Sequence, residues 1–128
     1  MRLWHERLLN KLPQKQLCGQ WRECAALLGN GWGRKHSVVN YVFTHEEEYL
    51  IAFSLKVMNE MLNRGYHPNP DVIKNSLLKR HTDDEVNLLL HLGQELYEEN
   101  CYLYAEHDKN YLQECLENLQ NKGITIDF

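Results

Sequence analysis

No stretch of the 128-residue chain stays apolar for anything near the roughly 18 residues that crossing a bilayer requires. A membrane-spanning helix is therefore not expected. The opening MRLWHERLLNKLP carries charge from its second residue and lacks a long apolar centre. That argues against a secretion signal and leaves the cytoplasm as the expected compartment. Cysteine is sparse: Cys18, Cys24, Cys101 and Cys115 form no CxxC pair and match no zinc spacing, so reduced, mostly buried thiols are expected. The seven histidines include neither an HExxH nor an HxxxH pair. Neither a metal nor another cofactor is expected. Internal repeats, linkers and low-complexity tracts are also missing. So is an excess of positive charge, with 14 Lys and Arg against 18 Asp and Glu for a formal net charge of −4. A protein that coats nucleic acid indiscriminately through neutralised phosphates is disfavoured on that ground.

What is present is a composition of 43% hydrophobic and 25% charged residues, ordinary for a globular chain. The length suits one domain over residues 1–128, large enough to bury a core without staples. Charge is unevenly spread. Residues 1–36 carry Arg2, Arg7, Lys11, Lys15, Arg22, Arg34 and Lys35 against Glu6 and Glu23, whereas acid concentrates at residues 46–48 and from Asp83 onward. A basic front and an acidic back is a polarity that a DNA-binding face can use.

Apolar spacing reads as helix almost throughout. Leu3, Trp4, Leu8, Leu9 and Leu12 suggest a short helix or arm, and Pro13 suits the first residue of the next helix. There Leu17, Trp21, Cys24 and Leu28 form an inward stripe, with Gln16, Gly19, Gln20 and Glu23 on the other side and Gly29 as the stop. Residues 37–43 have strand-like composition, but no second strand is visible to pair with them, so helix or irregular structure is expected. Thr44 then reads as the cap of a helix with a core stripe of Leu50, Phe53, Val57 and Met61, with Leu62 as a further candidate, closed by Arg64-Gly65. A short helix follows Pro70 with Val72, Ile73 and Leu77 inward, and Lys79-Arg80-His81 is read as an exposed basic tip. Thr82 to Glu85 is a capping box for a long helix. Asp108 caps a last amphipathic helix that ends at Lys122-Gly123. The expected fold is all-α, a single compact bundle of five to six helices.

Chemistry concentrates in residues 16–23, QLCGQWRE. Arg22-Glu23 places a carboxylate beside a guanidinium on one helix, and Gly19, one turn earlier, leaves room for approach. A free α-amino group has a reference pKa of about 7.7–8.0, against about 10.4 for lysine, so a minority is neutral and nucleophilic near neutral pH. An amine paired with a carboxylate can form a Schiff base and shuttle protons. The loop at residues 29–33 has three glycines around Trp32, which reads either as a lid on the core or as a base-stacking wedge. Arg34-Lys35-His36 directly after it suits a phosphate clamp. His5 could tune a proton on the amino terminus.

QLCGQWRE resembles the helix of the pyrimidine-dimer DNA glycosylases of the phage endonuclease V type, which carries the same leucine, an aromatic and then Arg-Glu. Arg34-Lys35-His36 matches a basic triplet of that family, and Met1-Arg2-Leu3 can be laid on its amino terminus. MRLWH, GNGWGRKHS, NRGYHP and HDKNYLQECLENLQNKGI together look like a bacterial branch of it. The resemblance implies a glycosylase with abasic-site lyase activity on damaged double-stranded DNA. It gives the nucleophile to the Met1 amine and the proton work to Glu23. Arg22 and Arg2 would contact phosphate, Trp32, Arg34, Lys35 and His36 would complete the DNA-binding set, and the protein would act as a monomer. Ala26 stands where the family has a further arginine, and the phage members' aromatic, basic carboxyl end is replaced by NLQNKGITIDF, so the lesion could differ. The alternative readings are a DNA-binding module without activity and a helical protein-interaction module in which Glu23 sits in an ordinary ion pair.

Overall fold

The computed structural model describes residues 2–35, 38–99 and 102–128. Met1, His36, Ser37, Asn100 and Cys101 lie outside the described residues, and with them the calls made on Met1, His36 and Cys101. Five α-helices follow one another: α1 (Gln14–Leu28), α2 (Glu47–Asn63), α3 (Asp71–Leu78), α4 (Asp83–Glu99) and α5 (Lys109–Asn121). Two 3-10 turns, Glu6–Leu8 and Asn40–Thr44, lie in the connections, and no strand occurs among the described residues. The chain is all-α, as expected. No helix among the described residues is long and apolar enough to cross a membrane.

α2 is the central element. α1 and α4 pack against it, and α3 bridges α1 and α4. Its stripe of Leu50, Phe53, Val57 and Met61 is buried, as the helical spacing requires. The approach of α4 depends on Gly93, because a Cβ built there would lie 2.8 Å from the Cβ of Ile51. α5 closes the molecule over the amino-terminal arm rather than over the other helices. Cys115 and Leu119 point inward, and the Tyr111 hydroxyl donates to the Leu3 carbonyl. Leu3, Trp4, Leu8, Leu9 and Leu12 are all buried, but only Glu6–Leu8 of this segment coils, as a 3-10 turn.

Several local expectations are corrected. Pro13 precedes α1 instead of starting it. Thr44 does not cap α2, because its hydroxyl donates to the Tyr41 carbonyl within the preceding 3-10 turn and Glu46 takes the position before the helix. Leu62 is exposed and stands outside the core stripe of α2, and Val72 is exposed, since Ile73, Ser76 and Leu77 form the buried face of α3. Arg80 and His81 are not a bland exposed tip. Arg80 Nη2 donates to the last carbonyl of α1, at Leu28, over 2.7 Å and pairs with Glu47 over 2.9 Å, and His81 meets the same carboxylate. A guanidinium thus satisfies a helix-end acceptor and ties α1, α2 and the end of α3 together. The Thr82 capping box and the Asp108 cap form as expected, with Glu85 N–H to Thr82 at 3.3 Å and Tyr111 N–H to Asp108 at 2.8 Å. The cysteines Cys18, Cys24 and Cys115 are free thiols, the last two buried.

Candidate active site and DNA interface

α1 presents Gln20 and Glu23 one turn apart, toward the arm of residues 2–5. The sequence pattern placed Gln20 on the outer face; it is instead 1% exposed. Its amide oxygen accepts the Trp4 N–H over 2.6 Å, and its amide nitrogen donates to the Arg2 carbonyl and to Glu23 Oε2, both over 3.1 Å. The second residue of the chain is thereby held against the Glu23 side chain.

Glu23 and Arg2 line an open cavity of about 280 Å³ together with Trp4, Val38, Asn118 and Lys122. Burial pushes the Glu23 carboxyl above its ordinary value of 4.5, and the Arg2 backbone N–H, Lys122 and Arg22 work against that rise. Among the described residues, none of Arg2, Arg22 and Arg34 forms an ion pair with Glu23; the Arg2 guanidinium turns instead to Glu114, at 3.7 Å, and to the Tyr111 ring. A partly desolvated carboxylate with no ion pair to an arginine side chain among the described residues, in a cavity open to solvent, is suited to receiving and returning a proton. Arg2 Nη1 is buried and forms no hydrogen bond among the described residues.

Arg22 is exposed, and its guanidinium folds back over Gly19, where a Cβ would lie 3.8 Å from Nη2. Arg34 and Lys35 are exposed on the loop that leads to Val38 on the cavity wall. Lys35 and Val38 are three peptide steps apart, a reach of about 11 Å at most. The loop turns tightly against α1. A Cβ on Gly31 would lie 2.8 Å from the Ala26 carbonyl, and Gly33 has a φ of 77°. Trp32 is half-buried and stands apart from the cavity, edge-on to Phe43 at 5.0 Å and beneath the Arg80 guanidinium. His5 is 2% exposed, its Nδ1 accepts the Arg7 N–H, and its ring stacks on His107 at 5.3 Å. It serves the arm's packing. Among the described residues no group of three or more His, Cys, Asp or Glu could hold a metal ion.

The structure thus gathers Arg2 and Glu23, and adds three residues that the sequence reading passed over. Gln20 looked like a surface amide, Asn118 was not singled out, and Lys122 looked like a helix stop. Lys122 Nζ stands over the Trp4 ring at 5.4 Å, so α5 brings a cation to the carboxylate from the far end of the chain.

A family model described as pyrimidine dimer DNA glycosylase matches residues 1–74, more than half of the chain. The match spans the arm, α1, the glycine loop and α2 and ends within α3, so Asn118 and Lys122 lie beyond it. No curated protein and no solved structure matches the chain.

Proposed function

The chain belongs to the pyrimidine dimer DNA glycosylase family, and from that premise we propose that it excises damaged pyrimidines from duplex DNA and then cuts the strand at the abasic site, using the Met1 α-amine as nucleophile and Glu23 as proton carrier. The observation that carries this reading is the hold of Gln20 on both the Arg2 carbonyl and the Glu23 carboxylate. Residue 1 is one peptide bond from Arg2, about 3.8 Å between Cα atoms.

In this mechanism the neutral amine's lone pair attacks C1′ of the damaged nucleotide. The glycosidic bond breaks, and its electron pair leaves with the base, which takes up a proton. Ionised Glu23 takes a proton from the amine nitrogen and passes it to O4′ as the C1′–O4′ bond breaks and the sugar opens, leaving an imine between that nitrogen and C1′. Removal of a C2′ proton then expels the 3′ phosphate by β-elimination. Water finally hydrolyses the imine and frees the amine. Arg2 and Arg22 hold the phosphates beside the lesion, Arg34, Lys35 and His36 clamp the backbone further along, and Trp32 contacts the duplex from the adjoining loop. Residues 1–128 act as one cytoplasmic domain and as a monomer.

Borohydride tests this directly, since it reduces the imine to a stable secondary amine. Incubation with an abasic-site duplex and with a dimer-containing duplex is expected to yield one covalent protein–DNA adduct. Peptide mapping should place that adduct on Met1, and reductive methylation of the α-amine should abolish it. Duplex binding with no adduct would reassign the chain to a non-catalytic DNA-binding module.

A further inference from the structure

Gln20 is a buried polar side chain that makes three hydrogen bonds. Two of the three go to the arm, sixteen and eighteen residues earlier in the chain, and the third goes to Glu23. Arg2 and Trp4 flank Leu3, which is fully buried, so the Arg2 carbonyl and the Trp4 N–H fall on one edge of the arm and receive the two ends of a single carboxamide. Leu3 is gripped in turn through its carbonyl by the Tyr111 hydroxyl of α5. The arm is therefore clamped from two helices, and one of the clamps also holds the carboxylate.

The chemistry of the bridge admits few substitutes. Rotating the amide by half a turn would set its NH2 against the Trp4 N–H and its oxygen against two acceptors, so the network fixes the orientation. Glutamate would keep the acceptor for Trp4 but face the Arg2 carbonyl and Glu23 with a second acceptor. Asparagine is one methylene too short to span the groups. An amide buried to 1% exposure is costly unless its bonds are made, and here the oxygen and both nitrogen directions are used.

We propose that Gln20 is the positioning residue of this site: it fixes the amino-terminal arm at the carboxylate and steadies one oxygen of Glu23 while that group exchanges protons. The inference rests on the roles of Met1 and Glu23 given above. A donor aimed at the carboxylate favours its ionised form, so removing the donor should make Glu23 titrate at higher pH and disorder the approach of the amine.

The test uses the full chain with Gln20→Met, which keeps the length and burial of the side chain without its polar atoms. The Glu23 carboxyl is titrated by carbon-13 NMR in parent and variant, and single-turnover incision of an abasic-site duplex is measured against pH. Gln20→Met is expected to shift the Glu23 titration upward and to move the acid limb of the rate profile with it. It should slow incision about tenfold, the equivalent of one charge-assisted hydrogen bond, with duplex affinity within about twofold of the parent. Gln20→Glu, which retains the acceptor for Trp4, should show the same upward shift and serves if the methionine variant does not fold. An active parent whose Glu23 titration and profile shape are unchanged in a folded variant overturns the positioning role alone. A parent that traps no DNA overturns the proposed function, and the role of Gln20 in it falls as well.

Discussion

Lys56 Nζ lies 2.9 Å from Glu6 Oε1, and the Glu6 side chain is 2% exposed. The same carboxylate accepts the Leu103 N–H over 2.8 Å and the Tyr104 N–H over 3.0 Å. A residue of the amino-terminal arm thus ties the connection between α4 and α5 to α2, and the arm that carries the candidate site is fastened at both ends.

Burial alone would raise the pKa of Glu6, but the hydrogen bonds outweigh it and hold the carboxyl at about 2, down from 4.5. The folded value is depressed, so the stabilisation is fully present above pH 4.5 and is lost as pH falls toward 2. It amounts to about 3 kcal/mol. Urea melts between pH 6 and 2.5 should show stability falling below about pH 4.5. Glu6→Gln should lower stability at pH 6 by about 3 kcal/mol, because the charge that accepts from Lys56 and from the Leu103 and Tyr104 N–H groups is gone, and should flatten that acid decline. An unchanged acid limb in Glu6→Gln would remove Glu6 as its source.

Glu23 is expected to behave in the opposite way. Its carboxyl is raised by burial, so neutralising it relieves desolvation and should leave stability within about 1 kcal/mol of the parent. Glu23→Gln should nonetheless cut incision by about 10²- to 10⁴-fold. In the parent, the rate should fall as pH drops through the raised carboxyl value, which lies above 4.5, and should climb at higher pH as the amine loses its proton. Single-turnover rates and thermal melts on the same preparations check both halves. A variant that loses stability but no activity would favour the interaction-module reading.

Arg22, next to Glu23 on α1, and Arg34 and Lys35, on the loop before Val38, are exposed and are expected to meet phosphates. Each replacement by alanine should weaken duplex binding regardless of sequence and reduce the slope of log affinity against log salt by about 0.9. Lys74, on α3 away from the cavity, serves as the control and should leave the slope unchanged. Fluorescence anisotropy over a salt series measures both. Slopes that match the parent in all three variants would place the duplex elsewhere.

Much of the fold could be read from local signals. Leu50, Phe53, Val57 and Met61 repeat at the helical period and are buried, and Thr82 and Asp108 begin helices because their side chains reach the orphan N–H groups three residues on. What escaped the reading is tertiary. Thr44 has the chemistry of a cap, but its hydroxyl is taken by Tyr41. Arg80 looked like one of three solvated charges, yet the open end of α1 lies within its reach. Of the candidate site, Glu23 and Arg2 were legible through the family pattern and the spacing on α1. Asn118 and Lys122 were not, because only the folding of α5 over the arm brings residues some ninety-five positions apart to one cavity. Nothing in the neighbourhood of Gln20 signals its burial, since the two partners that fix it to the arm are backbone groups that almost any residue would carry.

Gly93 gives a test of the scaffold independent of the chemistry. α4 meets α2 where Gly93 faces Ile51, and an added Cβ would lie 2.8 Å from the Ile51 Cβ, an atom fixed to its backbone. Rotating the isoleucine cannot relieve that overlap, so the two helices must separate. Alanine is the better helix former by about 1 kcal/mol, and on an exposed face Gly93→Ala would stabilise. Here overpacking opposes the gain at about 1–3 kcal/mol, so the variant should be destabilised by up to about 2 kcal/mol. Ile51→Ala removes the Cγ2 that the added Cβ would meet at 2.4 Å but keeps the Cβ at 2.8 Å, so Gly93→Ala should cost less in that background than in the parent without becoming stabilising. Urea melts of the two single variants and the double variant close the cycle. A Gly93→Ala protein more stable than the parent would mean that α4 does not approach α2 at this residue.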